Sequence, residues 1–207
     1  MDKKRPLAET VFEITISALM AVLWGAFVYD NVTFLKLNGY KLSVWLVILK
    51  GSTDVVFTLF RRFPKATSLS PYSWIVAMLG AVMVLFLRPS PTEGDNLVGQ
   101  VIQCLGLLLQ LAAIFSLNRS FGIVPANRGI KTGGMYRYLR HPLYGTYLLG
   151  QVGFLINNLT AANMVVVVTA LILQIARIFE EEKFLMNDEA YREYAAKTRW
   201  RLIPFVF

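Results

Sequence analysis

The chain holds one histidine, His141, within the basic and aromatic stretch Gly133-Gly134-Met135-Tyr136-Arg137-Tyr138-Leu139-Arg140-His141-Pro142-Leu143-Tyr144. A second concentration of charge, Arg177-Ile178-Phe179-Glu180-Glu181-Glu182, follows after two more apolar runs. Arg177 precedes Glu180 by three residues and Glu181 by four, so one helical face can hold all three. An ordinary surface ion pair explains this poorly. Arg before Glu is the weaker i, i+4 order, and three consecutive acids near a helix C-terminus oppose its dipole. Anionic lipid at a cytoplasmic membrane surface would repel them further. The chemistry they point to is the binding of a cationic ligand. His141 points to a complementary task. Pro142 biases it away from helical geometry and suits the first turn of a helix that starts there. Free N–H groups at such a start favour an anion such as a carboxylate. Gly133-Gly134 permits a tight turn and a close backbone approach.

These residues must be positioned by membrane helices. Of 207 residues, 56% are hydrophobic and only 16% charged, against about a quarter charged in soluble domains. The expected class is all-α, a polytopic membrane helix bundle. The formal net charge is +8, but the cations sit in the gaps between apolar runs and form no single face, which excludes nucleic acid as the expected partner. Runs near the roughly 20 residues that cross a bilayer occur at 11–35, 42–60, 72–88, 97–117, 143–157 and 162–179, predicting about six spans, the fifth of marginal length. The first is read as a membrane helix, because its apolar stretch continues to about Leu35 and lacks a clear signal-peptide cleavage site.

Assigning the gaps alternately puts 17 of the 21 Lys and Arg on the side of the N-terminus, Lys3, Lys4 and Arg5 among them, and three, Lys36, Lys41 and Arg88, on the other. By the positive-inside rule both termini are cytoplasmic. The short uncharged gap from Asn157 to Asn163 makes the last two spans a helical hairpin with both open ends toward the cytoplasm. The histidine stretch and the Arg177–Glu182 cluster then become neighbours. Residues 183–207 are charged and tyrosine-rich. With Asn187 or Asp188 as N-cap, Tyr191, Tyr194, Ala195 and Thr198 share one face of a cytosolic helix, laid over the membrane surface, over the site, or over both.

Other polar groups have plainer expectations. Lys50 and Asp54, spaced i, i+4 inside the second span, are expected to pair with each other, with a substrate role as the alternative. Glu13 and Asp30 reach the interface near opposite ends of the first span. Cys104 is read as a buried core thiol. One His and one Cys cannot supply a zinc site, so no metal is expected. No P-loop, GxGxxG, HExxH or GxSxG element occurs.

The residues from Gly134 to Tyr144, then Arg177-Ile178-Phe179-Glu180-Glu181-Glu182-Lys183-Phe184-Leu185, then Tyr191-Arg192-Glu193-Tyr194 and Arg201-Leu202-Ile203-Pro204, resemble the isoprenylcysteine carboxyl methyltransferase and phospholipid methyltransferase family of integral membrane enzymes. The resemblance runs from about Leu117 to Phe207, and the first hundred residues match only as generic membrane helices. It implies S-adenosylmethionine as methyl donor, held in a cytosol-facing pocket by the linker, the last span and the C-terminal segment. The cofactor-binding set it implies is Tyr136, Arg137, Arg140, His141, Pro142, Tyr144, Glu181 and Glu182. Arg177 and Glu181 are the residues expected to face the reacting groups. It further implies four membrane helices in 1–117, a catalytic region in 118–207, and a prokaryotic inner membrane with the site toward the cytoplasm. The acceptor is a lipophilic molecule or lipid, entering from the bilayer.

The residues suit this donor on their own terms. S-adenosylmethionine is a zwitterion plus a sulfonium. It needs an acid for its amine, a cation or helix N-terminus for its carboxylate, and aromatic surface for adenine. Arg177 would orient a carboxylate acceptor, whereas Glu181 would take the proton of an amine or thiol. Two rival readings stand beside it: an NADPH-dependent membrane sterol reductase, and a non-enzymatic scaffold or transporter for which Lys50 and Asp54 are the best support.

Overall fold

The computed structural model describes residues 7–91 and 94–207. The N-terminal cations Lys3, Lys4 and Arg5, used above to orient the chain, lie outside them. Seven α-helices follow in order: α1 Leu7–Asn38, α2 Leu42–Phe60, α3 Pro71–Val82, α4 Leu97–Leu117, α5 Pro142–Asn157, α6 Ala161–Leu185 and α7 Glu189–Lys197. A 3-10 segment, Met83–Phe86, extends α3. Each of the six expected apolar runs is a helix.

Their caps are those the sequence offers. Ser70 accepts from Ser73 N, Asn96 from Val98 N, Thr160 from Asn163 N and Asp188 from Ala190 N, each relieving a backbone donor that a helix start leaves unpaired. Asp188, one of the two candidates, is the cap of α7.

Four helices, α1, α2, α4 and α6, are long and apolar enough to cross a membrane. The α3 unit and α5 are shorter, α5 rising only about 24 Å at 1.5 Å per residue. The outward faces of the long helices are greasy, with Val22 67% and Phe115 68% exposed, as a surface against hydrocarbon requires. The inward faces meet in a core of Met20, Trp24, Phe27, Val47, Leu87 and Phe154.

The helices α1 to α6 run alternately between two ends. At one end, Arg61 follows α2 and pairs with Glu13 near the start of α1 at 2.9 Å, and Ser73 of α3 donates to Glu180 near the end of α6. At the other end, Lys41 reaches Asn158 at 2.8 Å, Arg88 N reaches Asn163 at 3.0 Å, and Asn96 N reaches Asn157 at 2.8 Å. The uncharged gap after α5 is therefore a knot of buried asparagines that ties together three inter-helix connections.

The closest packing joins α4 to α5. A Cβ on Gly106 would stand 2.7 Å from Gly150 N, and one on Gly153 would stand 2.6 Å from Gln103 N. Small residues of this kind let membrane helices touch backbone to backbone.

Three expectations need correction. The fold carries a two-residue antiparallel ladder, β1 Ala66–Thr67 with β2 Ala126–Asn127, because the loop after α2 docks onto the linker after α4 and satisfies its backbone there. Glu13 is buried against Arg61 and Arg128, the latter at 3.5 Å, so it does not reach the interface. Burial lowers the tendency of Arg61 to hold its proton, opposed by the Glu13 charge. Cys104 is only half-buried, since α4 turns Gly99, Gln103, Gly106 and Gln110 inward and leaves Cys104 on their flank.

Candidate active site

The linker between α4 and α5 begins where Asn118 leaves the helix with φ +54°. Gly134, at φ +60°, places its backbone against Ser116, whose hydroxyl receives Met135 N at 3.3 Å. A Cβ there would stand 2.2 Å from Ser116 Oγ, which is why this close turn needs glycine. The linker is then stitched to the C-terminal segment. Arg140 N donates to Trp200 O at 2.9 Å, and His141 N to Arg201 O at 2.8 Å.

His141 occupies the N-cap position of α5, with Pro142 next, yet its side chain does not cap the helix. The imidazole turns toward α6, where Nε2 lies 3.3 Å from Glu182 Oε1. Arg140 meets the same oxygen at 2.9 Å, and Arg201 meets Oε2 at 2.8 Å. Arg140 also donates from Nε to Thr198 O and from Nη2 to Arg199 O. Glu182 is thus the hub that fastens linker, α6 and C-terminal segment together.

Its neighbour Glu181 has a different environment. Among the described residues it has no cationic partner within 4 Å; its hydrogen bond comes from Tyr144 Oη at 2.8 Å. The guanidinium of Arg177 lies 4.9 Å from the Tyr144 ring centroid and donates from Nη2 to Ile123 O at 3.0 Å. Arg177 Nε is buried without a hydrogen-bond partner among the described residues. Gly80 of α3 makes room for this side chain, since a Cβ there would stand 2.6 Å from Arg177 Cδ.

Arg177, Glu181, Tyr144, His141 and Arg140 all line one hollow that extends between the helices to Lys50 and Asp54. A second hollow, about 470 Å³, shares the wall of Tyr136, Arg140, His141 and Glu181 and continues to Lys131, Tyr191 and Tyr194. The α7 face therefore lies over the site. Burial raises the hydroxyls of Tyr136 and Tyr191 well above the usual tyrosine range and pushes Tyr194 up to about 12. Tyr194 Oη donates to Tyr136 O and Leu139 O, whereas Tyr191 Oη is buried without a hydrogen-bond partner among the described residues.

Of the eight residues expected to contact a cofactor, Tyr136, Arg140, His141, Tyr144 and Glu181 line these hollows. Three do not. Arg137 is exposed, because its 3-10 turn buries Tyr136 and leaves the next side chain outside. Pro142 is fully buried as the first residue of α5. Glu182 is consumed by its three cations. Residues the first reading passed over also stand in the walls: Tyr147, Gln151, Gln174 and Gly80. The glutamines carried a signal, as polar groups inside apolar runs; Gly80 carried none. Lys50 and Asp54 pair at 2.6 Å, as expected.

The comparisons with known proteins accord with this arrangement. The family model of phospholipid methyltransferases matches residues 96–193, from the cap of α4 into α7. The chain is 30% identical to protein-S-isoprenylcysteine O-methyltransferase A of Arabidopsis thaliana over 208 aligned residues, covering 94% of this chain and 88% of that one. It is 31% identical to a probable protein-S-isoprenylcysteine O-methyltransferase of Oryza sativa subsp. indica, covering 83% and 98%. It is 29% identical to methanethiol S-methyltransferase of Crocosphaera subtropica, covering 70% and 64%. The likeness extends beyond the C-terminal half into the first helices, further than the motifs alone reach. With its apolar helices and a charged hollow where the family's motifs converge, the chain belongs to the isoprenylcysteine carboxyl methyltransferase and phospholipid methyltransferase family and is a membrane methyltransferase.

Proposed function

We propose that this methyltransferase takes its methyl group from S-adenosylmethionine and delivers it to a lipophilic acceptor at the cytosolic face of the membrane. The observation that carries the reading is Glu181, a carboxylate facing the hollow with no cationic side chain against it among the described residues. A half-buried carboxylate is stabilised by an opposite charge, and the donor's cationic centre supplies one. The neighbouring tyrosines fit the remainder: Tyr136, Tyr191 and Tyr194 offer aromatic surface, and Tyr191 Oη awaits a hydrogen bond. Arg140 and His141, at the start of α5, take the donor's carboxylate.

When bound, the donor supplies an activated methyl group. The protein's part is orientation and exclusion of water, and orientation alone is worth up to about 7–11 kcal/mol. Tyr144 fixes Glu181 by its hydrogen bond, and its ring holds Arg177 in place. Arg177 orients an anionic acceptor such as a carboxylate; Glu181 receives the proton of a thiol or amine. Glu182, Arg137 and Pro142 act behind this layer, shaping the linker without touching the donor. The region 118–207 supplies the donor site, and the four helices of 1–117 wall the acceptor's side.

In this reading all six helices α1 to α6 cross the membrane, with both termini and the donor site in the cytoplasm of a prokaryote. The two short helices lie among longer ones, where local thinning or burial accommodates them. Equilibrium binding of labelled S-adenosylmethionine and of NADPH to the purified protein tests the proposal. Saturable binding of the first, lost in Glu181→Gln, is expected; binding of NADPH alone would move the protein to the reductase reading.

A further inference from the structure

The inner part of the large hollow is polar where the bilayer is driest. Lys50 is the ninth residue of α2's 19, Gln151 the tenth of α5's 16, and Gln110 the fourteenth of α4's 21. These positions lie near mid-span. Lys50 and Asp54 satisfy one another there. Asp54 accepts from Lys50 at 2.6 Å, from Gln110 at 3.1 Å and from Tyr147 Oη at 3.3 Å. The Lys50 ammonium also lies 4.7 Å from the Trp24 ring and 4.5 Å from that of Tyr147. The pair is neutral overall and fully engaged.

Two side chains beside it are not engaged. Gln151 and Gln174 are 5% and 3% exposed and line the hollow, and the Oε1 of each is buried with no hydrogen-bond partner among the described residues. Leaving such a group unpaired in a dry interior forfeits the hydrogen bond that water would have given it. A third, narrower hollow, walled mainly by Phe27, Leu46, Val47, Leu107 and Phe154, shares Lys50 and Gln151 with the first. The chamber is therefore banded: a charged end at Arg177 and Glu181, a neutral polar belt, and an apolar end.

We propose that Gln151 and Gln174 form a recognition site for a hydroxyl group on the methyl acceptor, so that the acceptor is a hydroxyl-bearing lipophile and not a plain hydrocarbon chain. This rests on the methyltransferase reading above and names the acceptor's class. A hydroxyl both donates and accepts, so it pairs with a glutamine amide in either orientation. The belt's neutrality gives a charged group no advantage over it. Gln174 lies three residues before Arg177 on α6, about 4.5 Å along the axis. The hydroxyl thus falls a few bonds from the methylated atom, and the rest of the acceptor enters the apolar end. A plain chain would fill the same space while leaving both glutamines unpaired, and sites built to bind a hydroxyl reject analogues that lack it.

The test uses purified protein in nanodiscs, labelled S-adenosylmethionine and two matched acceptor pairs: 1-dodecanethiol with 5-hydroxydodecane-1-thiol, and dodecanoic acid with 5-hydroxydodecanoic acid. Donor binding is measured separately. The expected result is a preference of about tenfold or more in kcat/KM for the hydroxylated member of the pair that is turned over. That preference disappears in the Gln151→Leu, Gln174→Leu double variant, whose donor binding is measured alongside. A wild-type protein that binds the donor but methylates both members equally, or methylates none of the four, overturns this proposal and leaves the methyltransferase reading standing. Loss of donor binding by the wild type itself would overturn both.

Discussion

Nε2 of His141 and Oε1 of Glu182 stand 3.3 Å apart across 41 residues of sequence, and the same carboxylate oxygen holds Arg140 at 2.9 Å. This contact sets where α5 begins relative to where α6 ends, and so sets the shared wall of the two hollows. Removing the carboxylate would leave three basic groups facing one another, of which His141 is buried. Glu182→Ala is expected to lower thermal stability by about 3–5 kcal/mol, the usual cost of breaking a buried pair, and to abolish donor binding. Glu182→Gln keeps one accepting oxygen, enough for Arg140 or for Arg201 but not for both, and should retain part of the stability. Differential scanning fluorimetry of the two variants in detergent checks this, and equal melting temperatures for Glu182→Ala and the wild type would refute the hub role.

Gly80 decides where Arg177 lies. A methyl at that position meets the middle of the arginine side chain at 2.6 Å, and Arg177 is held beyond that point by Tyr144 and Ile123. Gly80→Val should therefore displace the guanidinium. Methyl transfer is expected to fall by at least about tenfold while donor affinity stays within about threefold, because the donor's compartment lies on the other side of Glu181. Unchanged kcat would show that Arg177's placement is unimportant.

Glu13 lies between Arg61 at 2.9 Å and Arg128 at 3.5 Å, all three buried. It joins α1 to the loop that carries the β1–β2 ladder. Glu13→Gln leaves two guanidinium groups without their counter-charge, so the loop should loosen. The measurement is limited proteolysis at Arg61, Arg62 and Lys65, with faster cleavage expected in the variant and no change in the wild type on adding salt, since a buried pair is little screened.

The tyrosines under α7 give a pH prediction. Tyr194 is raised to about 12 by burial, against an ordinary value near 10 in an unfolded chain. Its neutral form is the one the fold favours, so its contribution to stability is complete below about pH 10 and is lost as pH rises through about 12. The phenolate absorbance difference between wild type and Tyr194→Phe should appear near pH 12. A difference centred at pH 10 would mean that α7 does not cover the hollow.

The sequence by itself determined the six helices, the cap of the C-terminal helix at Asn187 or Asp188, and the pairing of Lys50 with Asp54. Each depends on neighbours within about four residues, through hydrophobic run length, local capping or one helical turn. It also placed His141 and the glutamates at the same end, because a short hairpin leaves few alternatives. Tertiary structure alone decided which acid faces the hollow. Glu181 and Glu182 are identical in type and adjacent in the chain, but successive helical residues point about 100° apart. One therefore meets Arg140, His141 and Arg201, and the other meets Tyr144 and open space. The buried partners of Glu13, the fit of Gly80 to Arg177, and the placing of Gln151 and Gln174 on one hollow were likewise undetermined by sequence. They depend on the rotation and closeness of helices distant in the chain, which no local pattern encodes.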